Sequence, residues 1–535
     1  MEVGIINRGS IVKNIRVKTS FKYRLVLEGI AVGIIAGIVV GTFRWLLTIA
    51  EQMRRRLVIY AGSGIEGVMV TFLLLMIMAA LVALLQRFEP EIGGSGIPQI
   101  EGEMKGQIDQ NWAKVLIGKL AGCVLAISGG LALGREGPSI QIGAMLGKGF
   151  ACTRHTVLTE ERMLITAGAG AGLSAAFGAP LAGALFGLEE LHKNFSAGVL
   201  ITTLSASVAS DFVTANILGV VPVFNFDIEY RIPLKLYWAV LTLGIILGLL
   251  GALYNKTIDF MQNLFQKIKI PEMRIGIMFL TSFALIFIFP LALGSGSNLV
   301  TEVSAGRMTL IGILILFLVK YLFSTASFGS GAPGGIFLPL LVLGALIGGM
   351  YCRILGVTFG LDQKYITAFV LMAMTGYFSA IVRAPVTGII LLTEMTGNFY
   401  SLLAMSLTSL IAYVIADLLG AQPIYDQLLR KRMGKSQSVE NISIDESGKR
   451  RADEDKKVII TTDVILGSYM AGKTISKINL PHGCLVVSIN RGGEEIIPGG
   501  MTVIEAGDVL EILCKNSDIA ETDRRMLVRC RTLMK

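Results

Sequence analysis

Three glycine-rich segments of this chain each occur twice, about 200 residues apart, so the chain contains two copies of one unit. The matched pairs are GSG at 94–96 and 294–296, GREGPSIQIGAMLG at 134–147 and GIFLPLLVLGALIG at 335–348, and APLAGALFGLE at 179–189 and APVTGIILLTE at 384–394. Glycine and proline interrupt helices, and interrupted helices in both halves of a membrane protein place free helix ends near the bilayer midplane, where a solute can bind. The repeat therefore predicts the core of a transporter.

The composition places this repeat in a membrane. Of the 535 residues, 53% are hydrophobic and only 16% are charged, and the mean hydropathy is +0.67, whereas soluble proteins carry about 25% charged residues. Long apolar stretches occupy 68–85, 277–293, 310–323, 337–350 and 402–419. Several approach the roughly 20 residues that cross a bilayer as a helix, and the shorter ones suit half-length helices. We expect a mainly α-helical, polytopic membrane protein.

Basic residues at both flanks indicate the orientation. The segment 8–24 is rich in Lys and Arg and lacks a signal-peptide cleavage pattern, and 430–435 is basic as well. By the positive-inside rule both termini are expected in the cytoplasm, with an even number of crossings. Arg54, Arg55 and Arg56 oppose this orientation, because they would then face outward.

The net charge of +9 and the scattered cysteines and histidines disfavour other classes of function. The positive charge lies mainly in the flanks, where it would meet anionic lipid headgroups. No basic stripe is interleaved with aromatic residues, so nucleic-acid binding is not expected. The six cysteines form no CxxC pair and suit a reducing compartment, and the three histidines are far apart, so neither a metal site nor a cofactor is expected.

A change of composition near residue 433 divides the chain. The expected segments are a basic cytoplasmic N-terminal segment at 1–22, a transmembrane domain at 23–433 with halves at about 23–220 and 230–430, a polar linker at 434–456, and a small cytoplasmic β-rich α+β domain at 457–535. In the last segment, the β-type runs VIITTDVI, CLVVSIN, EEIIP and DVLEIL alternate with turn signals, and a short helix is expected over 519–533.

One motif in the C-terminal segment suggests a different function. GSYMAGKT at 467–474 fits the phosphate-loop pattern, and a β-type run precedes it. A phosphate loop opens a substantial helix within a βαβ unit, but only the six residues 475–480 follow here before Pro481. Nucleotide hydrolysis is therefore not expected.

Each glycine-rich turn leads to a proline and then to a helical pattern. The three turns are GSGIP at 94–98, GREGP at 134–138 and GSGAPGGIFLP at 329–339. Proline suits the first turn of a helix, and the free N–H groups and partial positive charge of a helix start attract an anion. Three such turns at one point would hold a transported anion with amides and hydroxyls rather than with full positive charges. The alternative is that the glycines only allow close helix packing.

Several glutamates lie beside these turns. Glu136 would occupy an anion site at the helix start when ionised and would leave it when protonated. The alternative for Glu136 is an ordinary first-turn glutamate that stabilises the helix dipole. Glu189 and Glu190 end an apolar run, and Glu101 and Glu103 follow GSGIP, so each pair could instead mark a solvated helix end.

The motifs GSGIP, GREGP and GSGAPGGIFLP, in this order and spacing, resemble the signature motifs of the CLC family of chloride channels and proton-coupled chloride transporters. The resemblance covers about 23–432. It implies a homodimer in which each subunit has its own anion pathway. It also implies that the two halves of each subunit are inverted-topology repeats of broken helices.

The resemblance also assigns site residues by motif position. The expected chloride-binding residues are Ser95, Gly137, Ile336, Phe337 and Tyr425. Ser95 and Tyr425 would contribute hydroxyls, and Ile336 and Phe337 would contribute backbone amides.

Three glutamates are assigned to gating and proton transfer in the same way: Glu136, Glu190 and Glu101. Glu136 matches the gating glutamate, Glu190 matches the intracellular proton-transfer glutamate of the exchangers, and Glu101 matches an acidic residue near the proton route. Gln99 departs from the pattern, because some bacterial members have a glutamate at that position.

The C-terminal segment resembles a different family. From about 457 to 516 it is similar to the TrkA-C (RCK C-terminal) regulatory module of potassium transport systems. This resemblance implies a domain that dimerises and binds a small regulatory ligand such as a nucleotide. It also implies a bacterial origin.

Together these features favour a proton-coupled chloride antiporter of the plasma membrane, with chloride bound as its substrate and with no enzymatic activity. A passive chloride channel of the same fold is the first alternative, and an anion-binding membrane sensor is a more distant one. Glu136 and Glu190 favour exchange, because neither a pore nor a sensor needs two carboxylates flanking an anion site.

Overall fold

The computed structural model describes residues 8–154, 156, 158–193, 196–219, 224, 226, 232–440, 457–464, 468–478, 480, 483–491, 494–515 and 530. The chain divides into two compact units, Met1–Ser438 and Val439–Lys535. The first is a helical membrane unit and the second is a small β-rich domain. The expected fold class, mainly α with a small β-rich domain, is therefore confirmed.

The membrane unit is an internal repeat in structure as well as in sequence. The helices of its first half are α1 (Arg8–Ala61), α2 (Ile65–Phe88), α3 (Ile97–Met104), α4 (Trp112–Ser128), α5 (Glu136–Arg154), α6 (Leu158–Phe177), α7 (Pro180–Phe186) and α8 (Ala197–Leu218). The helices of its second half are α9 (Tyr237–Gln266), α10 (Pro271–Ile288), α11 (Ser297–Ser304), α12 (Leu310–Gly329), α13 (Phe337–Phe359), α14 (Ile366–Val382), α15 (Pro385–Thr396) and α16 (Leu402–Leu418), followed by α17 (Ile424–Glu440). Each helix of the first half has a partner at the same place in the second.

The short helices α3 and α11 arise from the duplicated GSG turns. Gly94 and Gly96 have φ angles of 66° and 94°, and Gly294 and Gly296 have φ angles of 67° and 83°. Glycine adopts such angles without the steric cost of a Cβ atom, so the chain can turn at these positions, and a new helix starts after each turn. Both new helices contain eight residues, too few to cross a bilayer. The interrupted helices that the sequence predicts are confirmed.

Among the described residues, eight helices are long and apolar enough to cross a membrane. They are α1 from Tyr23 onward, α2, α8, α9, α10, α12, α13 and α14. The helices α15 and α16 are shorter but also apolar. Most of α14 is buried inside the unit, so this helix lies in the protein core rather than against lipid.

The two halves meet at equivalent residues. Gly134 N donates to Gly335 O at 2.7 Å, and Gly335 N donates to Gly134 O at 2.8 Å, which makes an antiparallel bridge. Because these glycines occupy the same place in the two copies, the reciprocal bonds place a local two-fold axis between them. A two-fold axis that relates the halves of a membrane unit is the arrangement expected of inverted-topology repeats.

Two helices run across expected segment boundaries. Helix α1 begins at Arg8, within the expected N-terminal segment, and α17 continues to Glu440, into the expected linker. At the second position the helix continues through Gly434, although glycine is a poor helix former, so composition alone does not show where the helix ends. The remainder of the linker, at 441–456, and most of the helix expected at 519–533 lie outside the described residues.

The C-terminal unit is built on an antiparallel sheet. Its strands are β1 (Lys457–Asp463), β2 (Leu485–Arg491), β3 (Glu494–Ile496) and β4 (Val509–Lys515), in the order β1-β4-β2-β3. Apolar residues of β2 and β4, including Val486, Ile489, Leu510 and Ile512, form its core. All four expected strands are confirmed within a few residues of their predicted positions.

The phosphate-loop look-alike in this unit is a closed turn. Gly472 N donates to Ile504 O at 2.7 Å, Ile475 N donates to Thr502 O at 3.0 Å, and Lys473 N bonds to a local carbonyl. These backbone N–H groups would have to point at a phosphate in a true phosphate loop. Because carbonyls already accept their hydrogen bonds, the described part of the motif cannot bind a phosphate in that manner.

Candidate functional site

The glycine-rich turns of both halves converge on one place in the membrane unit. Gly94 N donates to Gly331 O at 3.2 Å, and Gly334 N donates to Gly94 O at 3.0 Å. With the bridge between Gly134 and Gly335, these bonds bring the starts of α3, α5 and α13 together. The convergence that the anion-binding hypothesis needs is therefore present.

Glu136 begins α5 and is completely buried. Its Oε2 accepts a hydrogen bond from Leu338 N at 3.3 Å, in the first turn of α13. Its Oε1 lies 3.9 Å from Nε of Arg135 and has no hydrogen-bond partner among the described residues. A carboxylate of the first half thus lies at a helix start of the second half, where an anion is favoured.

Ser95 is 2% exposed and lies against the start of α5. Its Oγ accepts a hydrogen bond from Ile97 N at 3.3 Å. A Cβ atom on Gly137 would lie 2.7 Å from Ser95 O and 3.0 Å from its Oγ. Gly137 therefore allows the hydroxyl of Ser95 to approach the helix start closely, which is how a glycine contributes to this site.

Ile336 and Phe337 lie at the start of α13, directly after the bridging Gly335. Both are buried, at 1% and 0% exposure. The Phe337 ring contacts Phe177 and Phe378, with centroid distances of 5.4 and 4.7 Å. Aromatic packing from both halves therefore fixes this helix start, whose first amides have no intrahelical acceptor.

Tyr425 is a buried tyrosine that lies near both Glu136 and Glu190. It lies in the first turn of α17 and is completely buried, and its hydroxyl has no partner within the part of the chain that the structure describes. Both Glu136 and Glu190 lie within range of electrostatic interaction with this side chain. A buried hydroxyl without a partner costs about 1–3 kcal/mol, so this group is suited to donate to a bound anion.

Glu190 lies beside a cluster of charged groups. It is 4% exposed, in the π-helical turn Gly187–His192 that follows α7, and its Oε1 has no hydrogen-bond partner in the described segments. Glu101, Lys193 and Asp426 are its electrostatic neighbours. Lys193 Nζ donates to carboxylate oxygens of Glu101 and Asp426, at 2.7 Å each, and Lys105 Nζ donates to Glu101 at 2.7 Å.

The sequence did not indicate Lys105, Lys193 and Asp426. They are separated by up to 321 positions in the chain and meet only after α3, α7 and α17 pack. Lys193 has a φ angle of 52°, a rare conformation for a residue with a side chain. This residue is the C-cap of the π-helical turn, and the left-handed conformation ends the helix there.

Glu189 is not a solvated helix end. Its carboxylate accepts hydrogen bonds from Val386 N at 3.2 Å and from both N and Oγ1 of Thr387 at 2.7 Å. It thus caps the start of α15, a helix of the other half. Glu394, its repeat partner, accepts from Leu181 N at 3.0 Å and Ala182 N at 2.8 Å and caps α7 in the same way.

Two buried lysines, which the sequence analysis did not single out, hold the GSG turns. Lys119 Nζ donates to Ile92 O at 2.8 Å and Gly94 O at 2.6 Å. Lys320 Nζ makes the equivalent bonds to Ala292 O and Gly294 O. Each is 0% exposed. A single lysine within an apolar run is the signal that could have identified them, because an unpaired charge is not stable there.

Gln99 also supports the first turn. Its Nε2 donates to Glu91 O at 3.2 Å and to Gly93 O at 2.7 Å. A glutamate at this position could not donate either bond when ionised. The departure of this chain from the expected motif is therefore accommodated by a different bonding role.

Comparisons with known proteins agree with this geometry. Residues 76–417 match the family model of the voltage gated chloride channel, and residues 462–527 match that of the TrkA-C domain. The chain is 32% identical to the H(+)/Cl(-) exchange transporter ClcA of Salmonella arizonae, over 80% of this chain and 93% of that protein. It is 35% identical to ClcA of Vibrio cholerae, over 78% of this chain and 91% of that protein.

Solved structures show the same fold. The crystal structure of a slow cyanobacterial Cl-/H+ antiporter matches with a TM-score of 0.73 and 30% identity, over 77% of this chain and 99% of that one. A eukaryotic CLC transporter matches with a TM-score of 0.66 and 20% identity, over 77% of this chain and 74% of that one, which supports the fold alone. The chain therefore belongs to the voltage-gated chloride channel (CLC) family, and it carries a C-terminal TrkA-C domain.

Proposed function

We propose that this protein exchanges chloride for protons across the plasma membrane. The observation that carries the proposal is the pair of buried carboxylates, Glu136 and Glu190, with the unpartnered hydroxyl of Tyr425 in electrostatic range of both. A passive pore requires an anion site but no second buried carboxylate. Two such groups at one anion site provide the means to couple anion movement to proton movement.

Chloride binds where the helix starts converge. Its ligands are the hydroxyls of Ser95 and Tyr425 and the backbone amides of Ile336 and Phe337, with Gly137 allowing close approach. These are partial charges, so they stabilise an anion without holding it permanently. When ionised, Glu136 competes with chloride for the same helix-start field, and when protonated it loses that attraction and vacates the site.

Glu190 supplies protons from the cytoplasmic side. The cluster of Glu101, Lys105, Lys193 and Asp426 is partly open to water, since the Lys105 and Lys193 side chains are 43% and 38% exposed. It forms a charged entrance beside the buried Glu190. Water carries the proton onward to Glu136, because both carboxylates have an oxygen that no described group bonds.

The working protein is a homodimer with one anion pathway in each subunit, and both termini lie in the cytoplasm of a bacterial cell. The C-terminal domain binds a small ligand, such as a nucleotide, and adjusts the transport rate. The family resemblance supports the dimer, and the basic flanks support the orientation.

The test is the reversal potential of the purified protein in liposomes under opposed proton and chloride gradients. An exchanger reverses at a potential set by both gradients, whereas a channel reverses at the chloride potential.

Glu190→Gln should abolish proton movement and keep pH-sensitive chloride flux, because Glu136 is intact. Glu136→Ala should leave chloride flux with little pH dependence. Proton pumping by Glu190→Gln against a proton gradient would exclude the assigned proton route.

A further inference from the structure

The second GSG turn has the same local structure as the chloride-binding turn. The backbone of Ser295 lies between Gly294 and Gly296, whose φ angles match those around Ser95 within 11°. Lys320 holds the carbonyls of this turn just as Lys119 holds those of the first. The same serine turn is therefore present in both halves of the repeat.

The two serine turns open on opposite faces of the membrane unit. Helix α2 has 24 residues, so it is about 36 Å long and spans a bilayer. Its C-terminal end leads into the turn of Ser95. Its N-terminal end follows directly after the end of α1, which carries the residues that line the cavity at Ser295.

Each turn lies in a cavity of similar size. The cavity at Ser95, about 370 Å³, includes Gln262 and Gln266 of α9 and Arg432 of α17. The cavity at Ser295, about 390 Å³, includes Glu51, Arg54 and Arg55 of α1. Since α1 and α9 are equivalent helices of the two halves, the cavities correspond, but α1 contributes charged side chains to the second cavity where α9 contributes amide side chains to the first.

A carboxylate already lies against the second serine. Ser295 Oγ donates to Glu51 Oε1 at 3.1 Å, and the Arg54 guanidinium packs on Gly294. In the first half, the hydroxyl of the corresponding serine, Ser95, is assigned to chloride. In the second half, the Ser295 hydroxyl instead bonds to a carboxylate of the same chain, Glu51. Glu51 thus competes for Ser295 in the way that Glu136 competes for the chloride site proposed at Ser95, Tyr425 and the start of α13, which we call the central site.

A narrow gap connects this place with the gating glutamate. The residues that line a small cavity of about 30 Å³ include Glu51, Ser295 and Ser297 as well as Arg135 and Leu338. Leu338 N is the donor to Glu136, and Arg135 is its ion-pair neighbour. Arg135 and Leu338 therefore border both the small cavity at Ser295 and the place that the Glu136 carboxylate occupies.

We propose that Ser295, with Arg54 and Arg135, forms a second binding site for a small monovalent anion on the face opposite Ser95, and that the Glu51 carboxylate competes with the anion for Ser295. The proposal rests on the proposed function, because it places this site on the chloride path. Chloride entering from this face displaces Glu51 from Ser295 and then moves past Arg135 to the central site.

The test compares the two faces. Chloride dependence of proton-coupled flux is measured in right-side-out and in inverted membrane vesicles, for wild type, Ser295→Ala, Ser295→Thr and Glu51→Gln. On the face of Ser295, Ser295→Ala should raise the KM for chloride about 10-fold or more, as loss of one hydrogen bond to an ion implies. Ser295→Thr keeps the hydroxyl and should stay near wild type. Glu51→Gln removes the competing charge and should lower that KM about 5-fold.

The matched control is Glu302→Gln, which removes a half-exposed carboxylate of α11 that pairs with Arg307 instead. It should leave the KM for chloride unchanged on both faces. If the wild type shows coupled flux but Glu51→Gln and Ser295→Ala leave the KM unchanged, or change it equally on both faces, the second site is excluded and the proposed exchange stands. If the wild type shows no coupled flux, the proposed function itself fails. A Ser295→Ala variant that does not fold leaves Glu51→Gln as the deciding measurement.

Discussion

At the scale of single residues, the proposed central site depends on two glycines, whose lack of a side chain leaves space for Ser95 and Glu136. Gly137 has no side chain, and this allows Ser95 to lie directly against the start of α5. Glu136 reaches the amide of Leu338 only because Gly134 leaves room beside its carboxylate. Residues that neither bind nor react thus determine the geometry of those that do.

Gly137→Ala should lower the apparent affinity for chloride. The added Cβ would lie 2.7 Å from Ser95 O, which is closer than a Cβ carbon approaches another atom in proteins, so the serine turn must shift. A displaced hydroxyl should weaken chloride binding by about 1–2 kcal/mol, or roughly 10-fold, in isothermal titration with chloride.

The control is Gly276→Ala in α10, where a Cβ atom meets nothing within 4 Å. Alanine there should leave chloride affinity unchanged and raise helix stability slightly. Equal affinities for chloride in Gly137→Ala and wild type would contradict the placement of Ser95 in the site.

Three of the residues that the sequence indicated share one property. Glu136, Ser95 and Phe337 lie in local turns whose glycine and proline spacing records the geometry of a helix start. Lys193 and Asp426 carry no such local signal, because their partners lie 92 and 233 positions away. Contacts of that kind follow from packing, and no pattern in one segment specifies them.

At the scale of secondary-structure elements, the two halves are joined by exchanged caps, meaning that a glutamate of each half caps a helix start in the other half. Glu189 caps α15 and Glu394 caps α7. A carboxylate at a helix start is stabilised both by the free amides and by the helix dipole. The duplicated sequence showed that both glutamates end equivalent segments, but it could not show that each serves the opposite half.

Glu189→Gln and Glu394→Gln should each destabilise the membrane unit by about 1–2 kcal/mol, because a neutral amide accepts these bonds more weakly than a carboxylate does. The measurement is the apparent Tm of the detergent-purified protein. The double variant should depart from the sum of the two effects by about 0.5 kcal/mol or more, since both caps join the same two helices, α7 and α15. A Tm like that of the wild type in both single variants would show that the caps contribute nothing.

Within the C-terminal domain, a bidentate ion pair fixes the start of β4. Asp508 is fully buried and accepts from Nε and Nη2 of Arg491, at 2.8 Å each, and from Glu505 N at 2.8 Å. Burial alone would raise the pKa of the Asp508 carboxyl, but the hydrogen bonds and charge of Arg491 hold this pKa below its usual value. A lowered pKa means that the ionised form stabilises the folded domain.

Asp508→Asn should destabilise this domain by about 3 kcal/mol at pH 7, because it leaves Arg491 without its buried partner. Hydrogen exchange of β2 and β4 in the full-length protein measures the change. The pair stabilises above the ordinary Asp pKa of 3.8 and loses this effect as the pH falls toward the lowered value, so the difference between variant and wild type should shrink at pH 3. Glu505→Gln, which alters a 59% exposed partner of Arg491, should cost under about 1 kcal/mol.

At the scale of the whole molecule, transport and regulation belong to different units. Every residue assigned to chloride or protons lies in Met1–Ser438, and the sheet of the TrkA-C domain lies in Val439–Lys535. Coupling between them can therefore act only on the balance of transport states. The polar composition near residue 434 suggested a division there, and the division between the two compact units falls between Ser438 and Val439, within α17.

A chain that ends after Glu440 should fold, dimerise and move chloride and protons in the wild-type ratio, but should no longer respond to a cytoplasmic ligand of the TrkA-C domain. The measurement is coupled flux in liposomes, with candidate nucleotides added on the cytoplasmic side. Loss of all flux in a truncated protein that remains a homogeneous dimer would show that the domain is part of the pathway.

The exchanged caps also affect how the first half of the chain folds during translation. Leu181 N has its acceptor in Glu394, 213 positions later, so the ribosome needs about 10–40 s to supply it. During that time the start of α7 is in the membrane with uncapped amides. The first half therefore cannot reach its final form on its own during translation, and a cell that makes this protein must keep the half-finished chain from aggregating until its second half arrives.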